Sequence, residues 1–214
     1  MSSTSQQQLD LIVRTIAQTA VDNEKYFGDL DSVVGDGDFG YSLARGFEKV
    51  LEGWDDIDRT DPGTFLKKVG MIVTSRIGGT SGPIWGTGFL KAGITAGKSE
   101  QLSADQVVAM LRAATDGIKM RGQSDVGDKT LLDALVPMTD RIEQEIGQGA
   151  DSATVVAAAA STAREAAEAT SEMIAKRGRA SYTGERSIGS VDAGAMAVAV
   201  LAEQISKAWQ EPAG

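Results

Sequence analysis

Neither cysteine nor histidine occurs anywhere in the 214 residues. The first absence excludes disulfides, thiolate metal sites and a cysteine nucleophile, and points to a reducing compartment. The second removes the commonest general base, the commonest transition-metal ligand and any phosphohistidine carried by this chain. Any chemistry must therefore be run by carboxylates, by a bound cation or by a partner's residues. Only four prolines are present, alternating strand patterns are scarce, and no apolar run approaches the roughly 18 residues that would span a bilayer. No basic-then-apolar leader is evident, so a cytoplasmic protein with no membrane partner is expected. Bases are in deficit as well: 21 Lys and Arg against 30 Asp and Glu give a net charge of -9. That balance argues against a nucleic-acid partner.

What is present is helical periodicity. Leu9, Ile12, Val13, Ile16 and Ala20 form one apolar stripe on an opening helix expected to end near Phe27, with a loop from Gly28 to Gly40 behind it. The same period recurs over Leu43–Leu51, over Phe65–Val73 and in a segment ending near Gly97. Ser103 with Gln106 reads as a capping box that opens a helix running to about Arg121. Further helices are expected over about 128–146, over an alanine-rich stretch from Ser152 to Lys176 that lets neighbours approach closely, and over Ala195–Trp209. No linker or internal repeat divides the chain, so 1–214 is read as one domain, an all-α bundle of about eight helices. Glycine-rich loops follow residues 34, 77, 120 and 177. At helix-pair intervals in an up-and-down bundle, several of them reach one end, and that end is the expected site.

Gly35-Asp36-Gly37-Asp38-Phe39-Gly40, with Asp31 upstream, is the densest acidic feature. Carboxylates so close repel one another unless a hard cation sits among them, and carboxylate oxygens are ligands that magnesium and calcium take. The glycine spacing formally matches a dinucleotide fingerprint, but aspartates inside the loop would repel phosphate directly and helices flank it. An EF-hand needs glutamate at its twelfth position; counting from Asp31, Asp36 or Asp38 reaches Ser42, Phe47 or Lys49. A tight turn made by side-chain-to-backbone bonds is the alternative to a metal site. Ala92 to Ser99 lacks the first glycine of a Walker A loop, and Gly97 reads as a helix stop. Gly78-Gly79-Thr80-Ser81-Gly82-Pro83 has the makings of a phosphate-binding turn, with Pro83 expected at the first helical position. The polar stretch from Arg177 to Gly189 carries three arginines, suited to bidentate phosphate contact. Trp54, Trp85 and Trp209 are read as core or interface anchors. Acids for metal, glycines and hydroxyls for phosphate, and arginines for charge are the working parts of phosphoryl transfer.

Those stretches, together with Arg121-Gly122, Gly127-Asp128-Lys129-Thr130 and Gly178-Arg179-Ala180-Ser181-Tyr182, resemble the ADP-binding L subunit of the dihydroxyacetone kinase family over nearly the whole chain. The resemblance implies an antiparallel up-and-down barrel of eight helices, with two Mg2+ ions held at one end by Asp31, Asp36 and Asp38. It places ADP or ATP among Phe39, Gly40, Tyr41, Ser42, Thr80, Ser81, Gly122, Leu131, Arg179, Asp192, Ala193 and Gly194, under a lid formed by 178–189. It implies a K subunit that holds dihydroxyacetone through a histidine and, in phosphotransferase-fed relatives, a phosphohistidine-bearing subunit that recharges ADP. Those relatives typically carry alanine and histidine where this chain has Gly37 and Phe39, which leans towards exchange with ATP; Ala193 stands where proline is usual. Other short ketoses, such as erythrulose, and a regulatory ADP-binding module without turnover are the alternatives.

Overall fold

The computed structural model describes residues 4–210, which contain nine α-helices and no strand. The helices are α1 (Ser5–Asp22), α2 (Glu24–Asp31), α3 (Phe39–Glu52), α4 (Pro62–Arg76), α5 (Ser81–Ala96), α6 (Ala104–Gly122), α7 (Leu132–Gly147), α8 (Ser152–Ala169) and α9 (Ala193–Gln210). Packing runs α1–α3–α4–α5–α6–α7–α8–α9 and returns from α9 to α1, so eight long helices close a ring, with α2 inserted beside α3 and α9. Short connections make the neighbours from α3 to α8 antiparallel.

Two apolar clusters fill the ring. One joins Phe27, Leu43, Phe47, Phe65, Val69 and Val73; the other joins Leu132 to small residues of α8 and α9, including Ala160, Ala163, Ala167, Ala195 and Ala199. Alanine on both facing helices is what permits the close approach expected of the 152–176 segment. Glycine does the same between α4 and α5. A Cβ on Gly63 would lie 2.0 Å from the Gly97 carbonyl oxygen, and one on Gly70 would lie 2.8 Å from that of Gly86. That seam lets the two backbones touch.

Several expected boundaries move. The opening helix breaks at Asn23, whose side-chain amide donates to the Thr19 carbonyl at 2.9 Å, and helix resumes through Asp31. The expected 28–40 loop thus shrinks to 32–38. The alanine-rich helix stops at Ala169, short of Lys176, because the Thr170 hydroxyl donates back to the Ala167 carbonyl and accepts the Asp192 N–H at 2.8 Å. Residues 128–131 form a turn, not the start of α7, and Pro83 is the third helical residue of α5, not the first.

At one end Thr4, Asp61, Ser103 and Asp151 cap α1, α4, α6 and α8 with side-chain oxygens, the first and third as capping boxes. At the other end Thr130 and Asp133 cap α7, the Leu132 N–H donating to the Thr130 hydroxyl and the Thr130 N–H to the Asp133 carboxylate, and Asp192 caps α9 by accepting the Ala195 N–H. Helices α3 and α5 begin there with no cap bond from the preceding side chain, which leaves orphan N–H groups where a partial positive charge gathers.

Candidate active site

The end where α3, α5, α7 and α9 start holds a cavity of about 460 Å3, within the range of small-ligand pockets. Its wall takes in the starts of four helices: Asp38 and Phe39 of α3, Thr80 and Ser81 of α5, Thr130 and Leu131 before α7, and Asp192, Ala193 and Gly194 at α9. Leu30, Val34, Ile84, Trp85 and Val191 give it an apolar side. The four glycine-rich loops therefore meet at one end.

Asp31, Asp36 and Asp38 stand at the rim, each offering an oxygen within 4.8 Å of the others'. Asp31 ends α2, and its carboxylate accepts the Gly37 N–H at 2.9 Å and the Phe39 N–H at 3.4 Å, which folds the loop around it. Glycine at 35 is required by contact: a Cβ there would sit 2.4 Å from Asp31 Oδ1. Asp38, at the N-cap of α3, makes no capping bond. Arg179 reaches across the mouth to pair with Asp36 and, at 3.8 Å, with Asp38. The donor set is all carboxylate, with solvent-facing positions left for water or phosphate, which suits magnesium better than a softer metal.

Most residues expected at the nucleotide line this cavity: Phe39, Thr80, Ser81, Gly122, Leu131, Arg179, Asp192, Ala193 and Gly194. Three do not. Gly40 is buried where α3 crosses α2, with a Cβ only 2.0 Å from the Glu24 carbonyl oxygen. Tyr41 faces a shallow outer depression with Asp22 and Lys25. Ser42 lies beside Gly78, outside the wall. Ala193 is the first residue of α9, a place where proline fits equally well because that N–H has no intrahelical partner. Sequence reasoning missed Trp85 as a wall residue. Its place four residues after Ser81 puts both on one face of α5 and was the available signal.

Cationic side chains surround the acids. Arg121, Lys129, Arg177 and Arg179 all line the cavity. Lys129 is buried, and its ammonium donates to the carbonyls of Met173, Ser187 and Ser190. Burial pushes its pKa down, and the neighbouring Asp192 opposes that shift. Burial pushes the Asp192 carboxyl up to about 7, against hydrogen bonds from the Ala195 and Gly194 N–H groups; Asp133 adds to the rise and Lys129 offsets part of it. Residues 179–187 form 3-10 turns kinked at Gly184, with Tyr182 89% exposed at the tip.

The closed helical ring thus joins, at one end, a carboxylate cluster to the uncapped starts of α3 and α5, an arrangement that a cation and an anion together would satisfy. Residues 33–207 match the DAK2 domain, and the chain belongs to that family. It is 38% identical over 87% of its length to the ADP-binding subunit DhaL of the PEP-dependent dihydroxyacetone kinase of Escherichia coli K12, covering 89% of that subunit. It is 36% identical over 92% of its length to an L-erythrulose 1-kinase of Mycolicibacterium smegmatis, of which it spans 34%. Among solved structures it resembles the dihydroxyacetone kinase of C. freundii in complex with AMP-PNP and Mg2+, with a TM-score of 0.71 and 25% identity over 92% of this chain and 33% of that one.

Proposed function

We propose that this chain is the nucleotide-binding subunit of a dihydroxyacetone-type kinase, active with a K-type partner that holds the small ketose. The observation that carries this reading is the meeting, at one cavity, of three clustered carboxylates with the uncapped starts of α3 and α5. Asp31, Asp36 and Asp38 would hold magnesium, which when bound neutralises polyphosphate charge and leaves the terminal phosphoryl open to attack. The N–H groups opening α3 and α5, with the Thr80 and Ser81 hydroxyls, would orient the phosphates. Arg179, facing Asp36, would cover them and exclude water. The apolar side between Ile84, Trp85 and Val191 would take the base.

No histidine is present to hold a ketose covalently, which agrees with an acceptor bound on the partner. A coupled assay on the two chains together tests this: each alone should be inactive and the pair should phosphorylate dihydroxyacetone. Magnesium-ADP binding with no turnover by the pair would leave only the regulatory module.

The donor has two routes. Three relatives at 35–38% identity carry names of PEP-dependent ADP-binding subunits, which favours ADP kept as a coenzyme and recharged by a phosphohistidine-bearing subunit. Gly37, where phosphotransferase-fed relatives typically carry alanine, leans towards exchange with ATP. Native mass spectrometry separates them: retained ADP supports the first, rapid exchange with labelled ATP the second. Erythrulose as acceptor is favoured by the match to erythrulose kinases and is read by offering the pair both ketoses.

A further inference from the structure

A lysine lining a nucleotide cavity is ordinarily taken for a phosphate ligand. Lys129 is differently employed. An ammonium has three protons to donate, and all three are used: on the Met173 carbonyl at 3.1 Å, on that of Ser190 at 2.7 Å and on that of Ser187. The residue is 3% exposed, so no water shares the work. Met173 stands where the chain leaves the bundle after α8, and Ser187 and Ser190 stand where it returns to α9. Between them lies the excursion that carries Arg179.

Two more facts set Lys129 apart from an ordinary core lysine. Its backbone has φ of 60°, one of two non-glycine residues in the left-handed region among those described. That conformation is costly for a long side chain, and it persists where the surroundings enforce it. The neighbouring turn is also tied to the excursion: the Lys176 N–H donates to the Asp128 carbonyl at 3.0 Å, and the Lys176 ammonium to the Gly127 carbonyl at 2.8 Å. The stalk is closed by the Ala175 N–H on the Ser187 hydroxyl at 2.9 Å and the Gly189 N–H on the Ser171 carbonyl at 2.8 Å. Beyond that stalk Tyr182 is exposed and Arg179 is the residue that meets the acids.

We infer that Lys129 is a positioning residue for nucleotide retention: its ammonium pins both ends of the 173–190 excursion, and so holds Arg179 over the cavity mouth, without touching phosphate. The inference rests on the nucleotide reading above and deepens it.

The test is a double-mutant cycle on the release of a fluorescent ADP analogue from the magnesium-loaded full chain, followed by stopped flow. Lys129→Met should speed release about tenfold or more, the scale of losing hydrogen bonds to a charged group. Arg179→Ala should do likewise, and the double variant should release no faster than Arg179→Ala alone, because the pin acts through the arginine. Rate increases that multiply would make Lys129 an independent phosphate ligand and overturn the inference, as would an unchanged rate in Lys129→Met. Because that variant strands three carbonyls, hydrogen exchange of the unaltered nucleotide-free chain supplies a second test. The stalk amides of Ala175 and Gly189 should be protected while those of Ser181–Thr183 exchange freely; equal rates would overturn the pin. Failure of the unaltered chain to bind magnesium-ADP would remove the functional reading itself, whereas intact binding with multiplying rates removes only the pin.

Discussion

Asp31 and Asp36 show how differently two acids of one cluster are employed. Asp31 spends its carboxylate partly on the Gly37 N–H, shaping the loop, whereas Asp36 meets only Arg179. Asp36→Asn should therefore weaken magnesium-ADP binding at least about tenfold, a loss typical of disturbed metal coordination, and leave the helical circular dichroism unchanged. Calorimetry with both spectra checks it. Gly35→Ala should produce a similar loss by pushing Asp31 aside. Asp192 gives a pH dependence whose sign follows from its pKa of about 7 in the fold against about 3.9 for a free aspartate. Between these values the native state binds the extra proton, so the contribution of Asp192 to stability falls as pH rises from about 4 to about 7. Subtracting urea-unfolding curves of Asp192→Asn from those of the parent should reveal that decline; a flat difference would remove the burial argument. The acids and the Thr80–Ser81 turn stood out in sequence by local spacing alone, and the fold brings both to one cavity. Lys129 was not, since its role depends on carbonyls more than 40 positions away.

At the scale of elements, periodicity located helices well and their ends poorly. Apolar spacing runs through Asn23 without interruption, so the break between α1 and α2 could not be read; the amide bond back to Thr19 makes it. The stop at Ala169 depends on Thr170 receiving the N–H of Asp192, a contact across 22 positions that no local pattern encodes. The Ser103–Gln106 capping box, by contrast, is wholly local and stands as expected, with bonds of 3.2 and 2.9 Å. The glycine seam of α4 and α5 makes its own prediction. Gly63→Ala would press a methyl group onto backbone that cannot rotate away, so it should destabilise the ring by about 1–3 kcal/mol, read as a lower urea midpoint. An unchanged midpoint would mean that the two helices separate freely. For the 179–187 turns, Arg179→Ala should release ADP faster while equilibrium helix content holds; an unchanged off-rate would remove the arginine from that role.

Over the whole molecule, the missing caps lie at the cavity end. Going round the ring, each helix that starts at the far end carries its own side-chain cap. Of the four that start at the cavity, α7 and α9 are capped by Thr130 with Asp133 and by Asp192, whereas α3 and α5 are not. A ligand that satisfies those N–H groups binds the folded chain and not the unfolded one, so saturating magnesium-ADP should raise the thermal midpoint. At a hundredfold excess over Kd the gain is about 2.7 kcal/mol, or roughly 5–10 °C for a domain of this size. Docking of polyphosphate on the three aspartates through a divalent cation is tested most directly by calorimetric titration of ADP with magnesium present and then chelated. With magnesium the titration should give heat and a single-site isotherm, and without it at least about a tenfold loss of affinity; equal affinity in both titrations would rule the docking out.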